Sequence, residues 1–336
     1  MRWAILGLLV VACGEPPEEE RGPAPTLAPS LGFQDITAWS GLGSPSFRVV
    51  SGIAAVDVDR DGFDDLVLPG KGATRLFRNR GDGSFEPLGE LDAGAAKETL
   101  GVYAAELTGD GILDLVTVGG WAFGLWQGHG DGTFEKTSTL DGFPEDSVTS
   151  LVTYGDFNLS GRLSLYLGRL IPFDFALSGD QGSDFCEGSR GPETLGGTTS
   201  FLMVPGETGF VDQTEAAGLG RKCKAQAATA FDLNGDGPLD LIVGTEGETR
   251  DLVFLGDGKG HFTEQGLELG WDANTSAMGF DVADIDGDGD AEVFVTDFTP
   301  EGGGQLWVRQ DDGRYKIEAG ARGLGDTGQF SSWGVG

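Results

Sequence analysis

The chain has 336 residues, enough for one large or two ordinary domains, and its 39% hydrophobic content supports a buried core, which excludes a disordered tail. Its 59 glycines and 14 prolines call for many short elements joined by tight turns, at a level below that of low-complexity chains. With 54 acidic against 22 basic residues the net charge is −32, a surface that repels phosphate backbones and anionic headgroups and so excludes nucleic acid as a partner.

At the N-terminus, Met1-Arg2 is followed by an apolar run over 3–12. That is about ten positions, short of the ~20 needed to span a bilayer, so residues 1–12 read as a signal peptide. The run ends Val10-Val11-Ala12-Cys13, which resembles the bacterial lipobox. The resemblance implies cleavage before a lipidated Cys13 and, with Gly14 next, an exported lipoprotein of the outer membrane or cell surface of a bacterium. Residues 13–30, acidic and Pro-rich, read as a disordered tether, with membrane contact only through the lipid.

From residue 31 onward the chain repeats itself. The segments DVDRDGFDD (57–65), ELTGDGILD (106–114), DFNLSGRLS (156–164), DLNGDGPLD (232–240) and DIDGDGDAE (284–292) recur about every 50 residues, except across the third repeat. Each is followed by a Gly-rich turn ending in an aromatic, at 81–85, 130–134, 206–210, 258–262 and 311–315. The third repeat alone carries an insertion, at about 172–200. Each repeat reads as four strands: an apolar run such as 52–56, a second such as 66–68 after the acidic loop, an alternating run such as 74–78, and a last strand opening with the aromatic. The expected fold is all-β, a β-propeller of four-stranded blades over 31–336, with five repeats and the start of a sixth at 331–336. The final residues match 276–280, just ahead of the fifth loop. Either the chain is truncated or 32–39 joins 331–336 in a closing blade; truncation is the expectation.

These loops and turns, with GFQDITAWSGL (32–42) and GFVDQTEAAGL (209–219), resemble the VCBS/FG-GAP repeat proteins. Bacterial proteins similar to cartilage acidic protein, of the ASPIC/UnbV type, are the nearest in pattern, and the integrin α-subunit propeller is a distant cousin. The resemblance implies the propeller fold and leaves function open.

A nine-residue loop with oxygens at positions 1, 3, 5 and 9, plus the carbonyl of position 7, can supply the six to eight oxygen ligands that Ca²⁺ takes. The first loop offers Asp57, Asp59, Asp61 and Asp65 with the carbonyl of Phe63. The fourth offers Asp232, Asn234, Asp236 and Asp240 with Pro238, and the fifth Asp284, Asp286, Asp288 and Glu292 with Asp290. A weaker fourth site would use Glu106, Thr108, Asp110 and Asp114 with Ile112. The third loop, Asp156, Asn158, Ser160 and Ser164, carries one charge and reads as a vestigial turn. Position 12, where an EF-hand needs Glu, is Leu68, Val243 and Val295, so these are strand-loop-strand sites.

Cys186 and Cys223 remain once Cys13 is assigned to lipid; an oxidising compartment makes them a candidate disulfide, the alternative being two small unpaired residues. Arg80-Gly81-Asp82 spells an adhesion tripeptide, but it lies in a turn whose Gly and Asp are demanded by hairpin geometry. His129 and His261, the only histidines, read as exposed turn residues, and Trp121 and Trp126 as packing between blades rather than sugar platforms. The resulting expectation is a non-enzymatic, surface-anchored calcium-binding propeller acting as an adhesion, scaffold or binding module toward an extracellular protein or glycan. One rival is a lectin-like propeller, which needs an exposed Trp beside polar groups. The other is a propeller enzyme such as a lyase, which needs convergent His, Tyr, Arg or Lys.

Overall fold

The computed structural model describes residues 36–42, 52–93, 98–120, 123–137, 140–141, 149–169, 198–207, 209–245, 250–273, 276–297 and 304–324. The signal peptide, Cys13 and its tether, Trp121, Cys186 with most of the insertion, and 331–336 lie outside them. The described residues divide into two compact units, one up to 138 and one from 139 on.

The first unit holds one helical turn, α1 (Thr37–Ser40), and two four-stranded antiparallel sheets. One runs β1 (Ala54–Val56), β2 (Asp65–Leu68), β3 (Ala73–Asn79), β4 (Phe85–Asp92), and the other β5 (Glu98–Ala105), β6 (Asp114–Gly120), β7 (Phe123–Gly128), β8 (Phe134–Thr137). Each is a meander in which neighbours in sequence are neighbours in space. Pairing of Val56 with Asp65 and of Ala105 with Asp114 makes each acidic segment the turn between first and second strands. The aromatics Phe85 and Phe134 open the fourth strands as the repeat requires.

The second unit repeats the plan three times. Its first sheet orders β10 (Thr149–Gly155), β11 (Ser164–Arg169), β13 (Phe201–Pro205), β14 (Phe210–Asp212), with β9 (Leu140–Asp141) added in parallel to β14 as a fifth strand. A two-stranded ladder joins β12 (Thr198–Thr199) to β15 (Lys222–Cys223). The remaining sheets are β16 (Ala225–Phe231), β17 (Asp240–Thr245), β18 (Leu252–Gly256), β19 (Phe262–Glu264) and β20 (Ala277–Ala283), β21 (Glu292–Asp297), β22 (Gln305–Arg309), β23 (Tyr315–Ile317).

Second strands are the most apolar because they are covered on both faces: β11 and β17 are buried at every position. One cluster joins Phe157, Tyr166 and Leu202 to Leu241, Val243 and Phe254 of the following sheet, so burial is shared between successive sheets. The next cluster centres on Trp271 and Trp307, fully buried and stacked at 4.2 Å with planes 9° apart. In four of the five sheets the first strand shifts register at the same place, at Thr99/Gly101, Thr149/Leu151, Ala225/Ala227 and Ala277/Gly279, a repeated bulge that adds twist.

The GFVDQTEAAGL segment ends in a helical turn, closed by Leu219 N–H on the Thr214 carbonyl at 3.0 Å. Ala217 then accepts the N–H of Phe262, at the start of the next sheet's fourth strand, at 2.8 Å. Leu269 and Tyr315 repeat this link at 2.6 Å, so the segment fastens one sheet to the next. Repeated four-stranded antiparallel meanders of this kind are the blades of a β-propeller-type fold, with almost no helix among the described residues.

Candidate metal-binding loops

All five loops share one backbone path, and two positions in it are left-handed. Position 6 is glycine throughout, with φ from +75° to +104° at Gly62, Gly111, Gly161, Gly237 and Gly289. Position 4 is left-handed as well: Gly109, Gly235 and Gly287 take it easily, while Arg60 (φ +63°) and Leu159 (φ +53°) take it at a steric cost. That second demand is visible in the sequence only as a preference for glycine.

The acid at position 1 folds the loop over itself. Asp57, Asp156, Asp232 and Asp284 accept the position-6 N–H at 3.0, 2.7, 2.8 and 3.1 Å, and also that of position 5. Glu106 instead accepts from positions 4 and 5, Gly109 and Asp110, at 2.5 and 3.1 Å. Position 5 makes a local turn with its own position 7: Asp61, Asp110 and Asp288 accept from Phe63, Ile112 and Asp290 at 2.9, 2.8 and 2.9 Å. Pro238 has no N–H to give Asp236 in the fourth loop.

Position 9 is a buried clasp. Asp65 accepts N–H bonds from Val58 (3.1 Å) and Asn79 (2.8 Å), and Asp114 from Leu107 (2.8 Å) and Gly128 (3.0 Å). Asp240 takes those of Leu233 (2.9 Å) and Gly256 (2.8 Å). Each ties the second residue of the loop to the end of the third strand. Burial pushes the carboxyls of Asp65 and Asp114 up, against the pull of those amides. Asp240 goes furthest, to about 6, through burial first and then the nearby charges of Asp236 and Asp232.

The third loop has lost both halves of this clasp. Ser164 stands at position 9, and Pro205, in the register held elsewhere by Asn79, Gly128 and Gly256, has no N–H. Ser164 Oγ and Asn158 Oδ1 are buried and have no partner among the described residues. They line a half-open cavity of about 300 Å³ with Phe157, Val204, Lys259 and His261.

Among the described residues, two groups of three carboxylates bring their oxygens within 4.8 Å of one another: Asp57, Asp59 and Asp61 in the first loop, and Asp284, Asp286 and Glu292 in the fifth. The first therefore gathers positions 1, 3 and 5, with Asp65 turned to the backbone, and the fifth gathers 1, 3 and 9, with Asp288 beside it. In the fourth loop Asn234 donates its amide to Asp236 at 3.0 Å, and Asp232, Asp236 and Asp240 do not converge in this way. In the second, Gln127 donates to Asp110 at 3.0 Å and holds its carboxyl below the usual range. The convergent sets offer only hard oxygen donors, without sulfur or imidazole, which fits Ca²⁺.

Arginines, which the motif does not include, complete the loops. Arg78 contacts Asp59 at 2.5 Å and Arg322 contacts Asp286 at 2.8 Å. Arg309 joins Asp290 at 2.5 Å to the carbonyl of Asn234 at 3.1 Å, linking fifth loop to fourth. Arg60 reaches the carbonyl of Gly111 at 2.7 Å, linking first to second. Arg78 and Gln127 share a register in the third strand, so aligning the repeats beyond the acidic loop would have exposed that position.

The other sequence signals are taken up locally. Arg80 pairs with Glu86 at 2.5 Å and Asp82 accepts from Ser84 at 2.8 Å, so both ends of the Arg-Gly-Asp turn are engaged within it. His261 is an exposed turn residue 3.1 Å from Asp257, whose carboxyl the His261 and Lys259 amides hold down at about 2. Trp126 is buried and donates to Thr117 at 3.0 Å, which leaves it no free face for a sugar. Cys223 is buried in β15.

The FG-GAP-like repeat family matches residues 57–117 and 224–295, which include the first, second, fourth and fifth loops. No curated protein sequence matches the chain. Among solved structures, an Agrocybe aegerita lectin that recognises non-reducing terminal N-acetylglucosamine is 18% identical, over 84% of this chain and 68% of its own, with a TM-score of 0.50. The V. cholerae biofilm matrix protein Bap1 is 17% identical over 80% of this chain, which spans 38% of it, with a TM-score of 0.45. BBS1N, solved in complex with ARL6DN, is 10% identical over 81% of this chain and 70% of its own, at 0.46. At such identities the likeness concerns the fold. Residues 57–117 and 224–295 match FG-GAP-like repeats, and the sheets that carry them are four-stranded and of β-propeller type.

Proposed function

We propose that the protein is an exported, calcium-stabilised propeller module that binds an extracellular protein or glycan by contact rather than by chemistry. The observation that carries the calcium reading is the convergence of three carboxylates in the first and fifth loops, each at the turn between the first and second strands of its sheet. Asp57, Asp59 and Asp61 would hold one ion, and Asp284, Asp286 and Glu292, with Asp288 beside them, a second. The fourth loop would take a third through Asp232, Asn234, Asp236 and Asp240 with less charge. The ion would supply positive charge where like charges otherwise oppose the turn.

Calorimetry on the full chain should show calcium binding that Asp61→Ala and Asp288→Ala each reduce by one site, while Asp82→Ala, in a turn outside the loops, leaves it unchanged. Retention of every site in both loop variants would sink the assignment. Export rests on the signal-like run 3–12 and on Cys13 at its end. Palmitate labelling in a bacterial host should mark wild type and not Cys13→Ala; equal label in both would refute a lipid anchor.

A further inference from the structure

The two loops whose carboxylates converge share a feature that the repeat does not encode: an arginine from outside the loop sits on the position-3 acid. Arg78 reaches Asp59 from β3, with Nε and Nη2 each 2.5 Å from Oδ2. Arg322 reaches Asp286 from the turn that follows β23, with Nη1 2.8 Å from Oδ2 and Nε 3.2 Å from Glu318. These arginines occupy unrelated positions in their repeats, so inheritance of one repeat by the other does not explain them. At the third positions of the second and fourth loops stand the neutral Thr108 and Asn234. No arginine bonds either side chain among the described residues, and the register of Arg78 holds the neutral Gln127 and Leu255. Among the described residues an arginine is bonded to the position-3 side chain where that side chain is acidic, whereas beside the neutral positions Arg309 and Arg60 meet only backbone carbonyls, of Asn234 and Gly111.

Asp59 leaves only 4% of its side chain exposed, so water does little to screen its charge. Its Oδ2 is taken by Arg78, while Oδ1 turns into the loop and accepts the Asp61 N–H at 3.3 Å. The pairing therefore fixes the carboxylate without closing the loop interior to a cation. We infer that Arg78 and Arg322 are tethered counter-cations that keep the first and fifth loops folded before metal arrives and lower their affinity for calcium, an inference that rests on the calcium reading above. Each removes one unit of negative charge from its loop and repels an incoming divalent ion. Even in a water-like dielectric, +1 and +2 charges about 6 Å apart repel by roughly a tenfold factor in affinity, which is the least that partial burial leaves.

The test is calcium chloride calorimetry and thermal unfolding of the full chain, comparing wild type with Arg78→Gln and Arg322→Gln, the glutamine copying what Gln127 does beside the second loop. Each variant should bind calcium about tenfold more tightly at one site, with the gap narrowing as salt is raised, and should melt lower than wild type in EDTA. A merely structural arginine would move affinity the other way, since loosening the loop weakens its site. Arg78→Lys, which keeps the charge, should stay near wild type and serves if Arg78→Gln fails to fold. Then a lysine variant that binds more tightly than wild type would overturn the inference. Wild type that binds no calcium overturns the calcium reading and this inference with it. Wild type that binds calcium, with glutamine variants equal or weaker, overturns the inference alone.

Discussion

Asp240 shows how one residue type does two jobs within a nine-residue motif. It is fully buried, its oxygens bonded to Leu233 and Gly256, and its carboxyl is raised from 3.8 to about 6. The folded state thus holds this proton more tightly than the unfolded chain. The group's contribution to stability is complete below pH 3.8 and is lost as pH rises through about 6, a change of at most ~3 kcal/mol. Asp65 and Asp114 shift the same way for the same reason. In EDTA the melting temperature should therefore fall between about pH 4 and pH 6, and saturating calcium should flatten that fall by restoring the charged form. An equal fall with and without calcium would contradict it. The four acids of a loop look alike in sequence, and only burial and backbone partners separate the clasp at position 9 from the acids at 1, 3 and 5. The arginines stayed hidden because Arg322 lies 36 residues from the acid it meets.

The elements themselves were legible because loop and turn repeat together. The aromatics Phe85, Phe134, Phe210, Phe262 and Tyr315 all open the strands expected of them, and Leu68, Val243 and Val295 lie in second strands as a strand-loop-strand reading requires. What was not legible is short or irregular: β9, β12 and β15 are two residues each, too brief to show any period, and a bulge leaves no mark in apolar alternation. The joint between loop and third strand is tight enough to test. A Cβ on Gly256 would lie 2.3 Å from the Leu239 carbonyl oxygen, a backbone atom that cannot swing aside. Gly256→Ala should cost about 2 kcal/mol or more in urea unfolding, whereas Gly89→Ala, with nothing within 4 Å, should change stability by about 0.5 kcal/mol or less. Equal effects of the two would mean that the joint relaxes freely.

Across the whole molecule, a net charge of −32 is gathered in part at recurring turns instead of being scattered for solubility. The four-stranded repeat was readable from the chain, as was the anomaly of the third copy, whose Ser164 and Pro205 together abolish the clasp. The partner that the proposed function calls for was not, because a contact surface is specified by no repeat motif. If calcium belongs to the fold, each occupied site at 100-fold excess over its dissociation constant contributes about 2.7 kcal/mol. Two convergent loops then give about 5 kcal/mol, a large part of an ordinary domain's stability. The most direct measurement is thermal unfolding of the full chain at neutral pH, in EDTA and in about 10 mM calcium, the excess expected for an extracellular-type site. A rise in melting temperature of more than about 5 °C with calcium is the predicted result. Coincident melting curves would show that the acidic loops are turns closed by their own amides and arginines, with no metal in the fold.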